Sequence, residues 1–404
     1  MGRGRRNSCC GTRGRDTTLA PDILAFVASR TRTRLLLGLL AAVSLAALFT
    51  TRVARKMPDF EVYWTAGARA RVAAPLYRAE DGHFQFKYLP AFAVAAIPLS
   101  RMPQPAAKAV WFAVSAVLIM VLLGLSVRAL PDLRRPPPLL VVLTFAAMAK
   151  FYAHELVLGQ VNLLFAVIVT AAVVCLLERR GVAGGLLFAA AVIVKPYGLL
   201  FAPWLLSRRD RIPCLAMGLG LAIVLILPAA LYGWRGNIDL HREWWQTVTA
   251  STPPNLLNQD NISLAALFAK WFGSAGQTRL LAAGASLTLL GLVAVVVAGR
   301  GALLRTDALE AALLLLLIPL LSPQGWDYVL LISTPAVMLL LNDLSSVPGP
   351  LRTAAVTAVA VVALSIYDLL GRAVYAEFMA LSLITVCVLV EFAALVSLRF
   401  ARAA

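Results

Sequence analysis

The chain has 404 residues, of which 60% are hydrophobic and 14% charged, with a mean hydropathy of +0.82. That composition excludes an ordinary soluble domain, and the apolar runs recur near the length that crosses a bilayer, so the sequence reads as an all-α polytopic membrane protein. The net charge of +17 suggests nucleic acid, but the basic residues sit in short clusters between apolar runs and form no stripe with aromatics; they are topology signals, and no nucleic-acid partner is expected.

Arg3, Arg5, Arg6, Arg13, Arg15, Arg30, Arg32 and Arg34 precede the first apolar run, Leu35 to Phe49. The pattern is similar to a signal peptide with a long basic leader, but no small-x-small cleavage site follows. It reads as a retained first helix, with residues 1–33 a disordered basic cytoplasmic tail and residues 34–399 one transmembrane domain. The chain then emerges on the outer side at Met57-Pro-Asp-Phe-Glu-Val-Tyr-Trp64, in an outer loop over 51–87. Asp59 there has two readings. It is an N-cap of a short helix lying on the membrane with an aromatic face, or it is a carboxylate available for chemistry.

The next apolar stretch, Tyr88 to Leu99, contains Pro90 and Pro98. Twelve helical residues rise only about 18 Å, short of a hydrocarbon core of about 30 Å, so a re-entrant or interfacial segment is expected. Ala109 to Val127 goes inward to Arg128, Arg134 and Arg135, Leu139 to Tyr152 returns, and Leu156 to Leu177 descends to Glu178-Arg179-Arg180. A second basic cluster, Arg208, Arg209 and Arg211, follows only 25 or so residues on. Both clusters belong in the cytoplasm, so the Gly-rich segment between them, broken at Lys195-Pro196, reads as a second re-entrant hairpin or else as one kinked crossing.

Ile212 to Tyr232 goes out to the longest non-apolar stretch, an outer loop over 233–277. Arg279 to Ala298 returns, Ala308 to Leu321 emerges, Val329 to Leu341 goes in, Ala354 to Leu370 comes out, and Phe378 to Leu398 ends at Arg399 and Arg402. The count is about ten crossings plus two re-entrant segments, with both termini inside. In this walk Asp59, Lys87, Tyr88, His154, Glu155, Gln160, Asn162, Asn258, Gln259 and Asp327 all fall on the outer side, which suggests one outward-facing site. Glu155, Lys195 and Asp327 lie at or within apolar segments, where an ionisable side chain costs about 2.5–3.5 kcal/mol. Each is either functional or part of a packing pair, with Lys195 bridging Glu155 or Asp327. An enzyme and a transporter both use such groups.

The order of Asp59 and Tyr63, Pro75-Leu-Tyr77, Phe86-Lys-Tyr-Leu-Pro90 with Pro98, Gly159-Gln-Val-Asn-Leu163, Lys195-Pro-Tyr197, Asn258-Gln259, and Ser322-Pro323 with Trp326-Asp327 resembles glycosyltransferase family 87 over about residues 35–345. These are membrane enzymes similar to the polyprenyl-phosphate-mannose-dependent alpha-1,2-mannosyltransferases. The resemblance implies a class C glycosyltransferase (GT-C) fold, a polyprenyl-phosphate-linked sugar donor, a lipid or cell-envelope glycan acceptor, and a site outside the bacterial cytoplasmic membrane. Asp59 matches the position of the family's catalytic base. A carboxylate in line with the acceptor hydroxyl suits an inverting transfer, and a departing phosphate needs positive charge, for which Lys195, Lys87 and His154 are candidates.

Gln160, Asn162, Asn258 and Gln259 suit sugar hydroxyls, while Tyr63, Trp64, Tyr88 and Trp326 are either stacking platforms or an interfacial belt. Where relatives often carry histidine directly after the Trp-Asp pair, Tyr328 and Val329 stand here; His154, His83 and Arg78 are the residues that could replace it. There is no Asp-x-Asp pair on a soluble loop and no phosphate-cradling Gly-rich loop, so no nucleotide-sugar site is expected. Cys9, Cys10, Cys175, Cys214 and Cys387 show no metal-ligand spacing, and neither disulfide, metal nor cofactor is expected. A transporter or flippase of a polyprenyl-linked sugar is the alternative function.

Overall fold

The computed structural model describes residues 36, 38–40, 42–208, 210–273, 276–299 and 307–401. The expected tail over 1–33 lies outside them, as do Arg209, Arg300, Arg305 and Arg402. Residues 1–53 and 54–404 form two units. The described part of the first is an apolar helix, α1 (Gly38–Val53), which ends in a π turn.

In the second unit the described residues form helices joined by turns and loops, and no strand. In chain order it holds α2 (Pro58–Arg71), α3 (Pro90–Ser100), α4 (Gln104–Ala129), α5 (Pro137–Leu158), α6 (Asn162–Leu177), α7 (Gly181–Val194) and α8 (Phe201–Leu206). Then come α9 (Ile212–Ile226), α10 (Ala229–Ser251), α11 (Leu264–Phe272), α12 (Gly276–Ala298), α13 (Asp307–Leu321), α14 (Thr334–Asp343), α15 (Gly349–Leu364), α16 (Tyr367–Ala380) and α17 (Leu383–Ala401). Proline opens α2, α3 and α5, where a missing N–H costs nothing and the fixed φ suits the first turn.

Among the described residues five helices are long and apolar enough to cross a membrane, or up to eight when bent pairs count as one span. The walk of about ten crossings also counted shorter elements such as α6, whose 16 residues rise only about 24 Å. Three boundaries differ from the sequence reading. The helix drawn from Leu156 is instead broken at Gly159, whose φ of 69° ends α5 before α6 starts at Asn162. The stretch over 233–277 is largely helical, with α10 kinked at Gly233 and meeting α9 at 88°. Asp59 does not cap α2: Met57 holds the N-cap position in a left-handed conformation, and Asp59 is the second residue of the first turn.

Between α7 and α8 the chain reverses at Lys195, of the two readings the hairpin. Phe201 and Trp204 return to Phe188, the first stacked on it and the second edge-on, with ring centroids 4.9 and 6.1 Å away. Gly185 and Gly220 let α7 and α9 cross at backbone contact, since a Cβ at Gly185 would overlap the Pro213 carbonyl. At the centre of the bundle α13 is buried on all sides from Glu310 to Leu320.

The helices sort their ends as the basic clusters predicted. At one end Arg128 and Arg180 pair with Glu178, Arg134 Nε lies 2.9 Å from Asp343, and Arg208 Nη1 lies 2.5 Å from Asp307. These are the C-terminal ends of α4, α6, α8 and α14 and the N-terminal ends of α5 and α13. The opposite ends of the same helices carry Glu155, Asn162, Ser322 and, at the other end of α7, Lys195.

Candidate active site

Asp59 owes its place to a clamp between α4 and α5. The Met57 N–H donates to Val157 O at 3.0 Å, tying the start of α2 to the last turn of α5. Trp111 Nε1 of α4 donates to Gly159 O at 3.1 Å and its ring stacks on Phe60. From the same helix Lys108 Nζ donates to Lys56 O at 2.7 Å and to Glu61 Oε1 at 2.5 Å. Gly159 makes the approach possible: a Cβ there would stand 2.7 Å from Phe60 Cβ. The result is a hydrogen bond between the Asp59 carboxyl and the Gln160 side chain.

Gln160 is the hub of an unbroken polar chain. Tyr63 OH donates to Gln160 Oε1 at 3.1 Å, and Gln160 Nε2 donates to Tyr328 OH at 3.3 Å. Because the single proton of Tyr63 is spent on Gln160, Tyr88 is the donor in the 2.8 Å contact between the two phenols. Tyr77 OH donates to Tyr88 O at 2.6 Å, and the Tyr63 ring meets Tyr88 and Phe92 edge-on. Gln160, Asn162 and Glu155 form a buried floor, while Asp59, Tyr88, Lys195, Tyr197 and Tyr328 keep part of their surface open above it.

Two cations flank the carboxylate. Lys195, extended between α7 and the following turn, holds Nζ 5.9 Å from the Tyr88 ring centroid and 5.6 Å from that of Tyr197. It interacts electrostatically with Glu155 and Asp59. Lys87 lies on the loop before α3, its carbonyl accepting from Trp244 Nε1 at 3.2 Å. Burial pulls its ammonium below the usual lysine range, and the Asp59 carboxylate opposes that shift. The neighbouring loop is pinned by the Arg69 guanidinium, which donates two hydrogen bonds to Asp81 and holds that carboxyl below its ordinary value. Beside it, on α2, Glu61, Val62 and Thr65 border a cavity of about 200 Å³.

Glu155 has a different task from Asp59. Its Oε1 accepts from the Leu163 N–H at 2.7 Å and its Oε2 from Asn162 Nδ2 at 2.9 Å, so it caps α6 from the neighbouring helix. Glu155→Ala leaves those buried donors unpaired, with an expected loss of about 2 kcal/mol. A clear drop in Tm in detergent, largely recovered in Glu155→Gln, checks this; an unchanged Tm in Glu155→Ala contradicts it.

Asp327 belongs to a second cluster. Its carboxylate lies 3.8 Å from Lys150 Nζ, and His154 and Asp260 act on it electrostatically. The bridge from Lys195 to Asp327 considered from sequence is therefore not formed, because Lys150 is the nearer partner. Asn258, Gln259 and Trp326 take part in the pairing of two loops. Asn258 Oδ1 accepts from the Asp260 N–H, Gln259 O accepts from Lys270 Nζ at 2.8 Å, and Trp326 bridges to Asn261 through backbone. Asn261 fastens that loop, donating through Nδ2 to Pro323 O at 2.8 Å.

Sequence reasoning passed over Tyr328, Tyr197, Lys150 and Asn261 as site residues. Lys150 carried a usable signal, an ionisable side chain inside an apolar run. Among the described residues no three His, Cys, Asp or Glu side chains converge as a metal site.

An Asp carboxylate, neutral hydrogen-bonding groups and two lysines around one partly open floor can accept a proton, hold hydroxyls and balance a developing anion. The glycosyltransferase family 87 model matches residues 86–323, more than half of the chain, and the match includes Lys87, Tyr88, Glu155, Gln160, Asn162, Lys195 and Tyr197. No curated protein and no solved structure matches the chain. By that match, with apolar helices of membrane-crossing length around a polar cluster, the chain belongs to glycosyltransferase family 87.

Proposed function

We propose that this glycosyltransferase is a hexosyltransferase of GT-C architecture in a bacterial cytoplasmic membrane, moving mannose from a polyprenyl-phosphate donor to a lipid or cell-envelope glycan, with inversion. The observation that carries the reading is the convergence of Asp59, Gln160 and the tyrosine hydroxyls with Lys195 and Lys87 at one end of the bundle. The acceptor hydroxyl gives its proton to Asp59 as its oxygen bonds the anomeric carbon. The bond from that carbon to the phosphate oxygen breaks on the opposite face, and polyprenyl phosphate leaves. Lys195 and Lys87 offset the charge on the departing phosphate, and Gln160 holds the base. The buried Asn162 Oδ1, which has no hydrogen-bond partner among the described residues, suits a sugar hydroxyl as its donor.

The basic clusters stand at the other end of the bundle, and the positive-inside rule then turns this site outward. Family membership supports group transfer over the transporter or flippase alternative. The test is transfer in membranes of an expressing host, offering radiolabelled polyprenyl-phosphate-mannose and, separately, a labelled nucleotide sugar with polyprenyl synthesis blocked. New glycolipid only from the polyprenyl donor is expected. Label taken directly from the nucleotide sugar would sink the donor assignment.

A further inference from the structure

The elbow where α9 meets α10 at 88° carries a cavity of about 600 Å³ that the Asp59 site does not use. Along α9 the side chains of Leu215, Leu219, Ile223 and Ile226 stand exposed at helical spacing and form one apolar stripe. On α10 Trp234, Ile238 and Trp245 are exposed in turn. A short apolar helix followed by an amphipathic helix at a right angle is the geometry of a chain that leaves the hydrocarbon and lies at headgroup depth.

Asn237 lines the cavity and is only 6% exposed. Its Nδ2 donates to Leu225 O at 3.0 Å, which fixes the orientation of the amide, and its Oδ1 is buried with no partner among the described residues. Buried carbonyl oxygens are rarely left without a donor, so this one calls for a hydroxyl or N–H from outside the chain. At the mouth stands Arg242, exposed and, among the described residues, paired with Asp239 one turn away at 3.3 Å. Arg235 lies two turns earlier on the same side of the helix.

We propose that this elbow binds an anionic phospholipid whose headgroup carries free hydroxyls, of the phosphatidylglycerol kind. Its acyl chains follow the α9 stripe, its phosphate meets Arg242, and a headgroup hydroxyl donates to Asn237 Oδ1. The occupant is a bilayer lipid and not the sugar donor, because none of the residues that line the cavity belongs to the Asp59 cluster. Asn237, His241 and Trp245 line the cavity, whereas Trp244 does not line it and bonds the Lys87 carbonyl beside Asp59. The proposal therefore stands whatever sugar the enzyme transfers.

The test uses the full-length protein in phosphatidylcholine nanodiscs doped with phosphatidylglycerol, with retained lipid counted by native mass spectrometry. Wild type is expected to retain phosphatidylglycerol selectively. Asn237→Leu and Arg242→Gln are each expected to lower that retention by roughly tenfold, the factor that corresponds to about 1.4 kcal/mol. Arg242→Gln alters an exposed side chain and keeps the elbow's Asn237–Leu225 bond, so its effect does not depend on how well Asn237→Leu folds. Retention undiminished in Arg242→Gln, or equal retention of phosphatidylcholine, overturns the proposal. Displacement of phosphatidylglycerol by added polyprenyl phosphate also overturns it, since the site would then be a donor-lipid groove.

Discussion

Replacing Asp59 by asparagine is expected to lower sugar transfer by about a thousandfold, on the order of 4 kcal/mol in the barrier. Asparagine has nearly the same volume and still hydrogen-bonds Gln160, so the clamp on α2 from Met57, Trp111 and Lys108 stays intact. What it lacks is a basic oxygen to take the acceptor proton. The loss is therefore expected in kcat, with little change in the KM for the donor, which is the pattern of an interaction made only in the transition state. A rise in KM with kcat unchanged would instead make Asp59 a binding residue.

Gly159→Val is expected to damage the same site through the backbone. The residue has a φ of 69°, which a β-branched side chain adopts only under strain, and its new Cβ would stand 2.7 Å from Phe60 Cβ and 3.0 Å from Met57 Cε. The start of α2 must then move away from α5, carrying Asp59 off Gln160. Displacement by even 1 Å is expected to cost transfer about a hundredfold, together with a lower Tm. Gly291→Val adds the same side chain on α12 where nothing lies within 4 Å, and is expected to behave as wild type. Equal activity of Gly159→Val and wild type would show that the close approach does not set the position of Asp59.

The sequence made the sorting of the helix ends legible, because arginine clusters and apolar length are both written locally and act through the bilayer. It also made the reversal at Lys195-Pro196 legible, since proline removes an N–H and disfavours helix in the residue before it. The break at Gly159 was hidden: one glycine inside an apolar run reads as a tolerated helical residue, and only the contact with Met57 and Phe60 shows why the chain turns there.

Asn258 and Gln259 have the functional groups of sugar ligands, yet their loop is fastened by backbone carbonyls and by the buried Asn261, a choice that side-chain chemistry alone does not reveal. Tyr328 first appeared as the place of a missing histidine; its hydroxyl in fact accepts from the amide that holds Asp59. Long-range pairs of this kind join positions 168 residues apart and leave no mark in local pattern.

The most direct measurement of the central claim is single-turnover transfer from labelled polyprenyl-phosphate-mannose in membranes, with wild type and Asp59→Asn at equal folded amounts. Labelled glycolipid is expected from wild type alone, with labelled donor still bound by the variant. Glycolipid formed by the variant at the wild-type rate would contradict the account and leave Asp59 as an ordinary first-turn residue of α2.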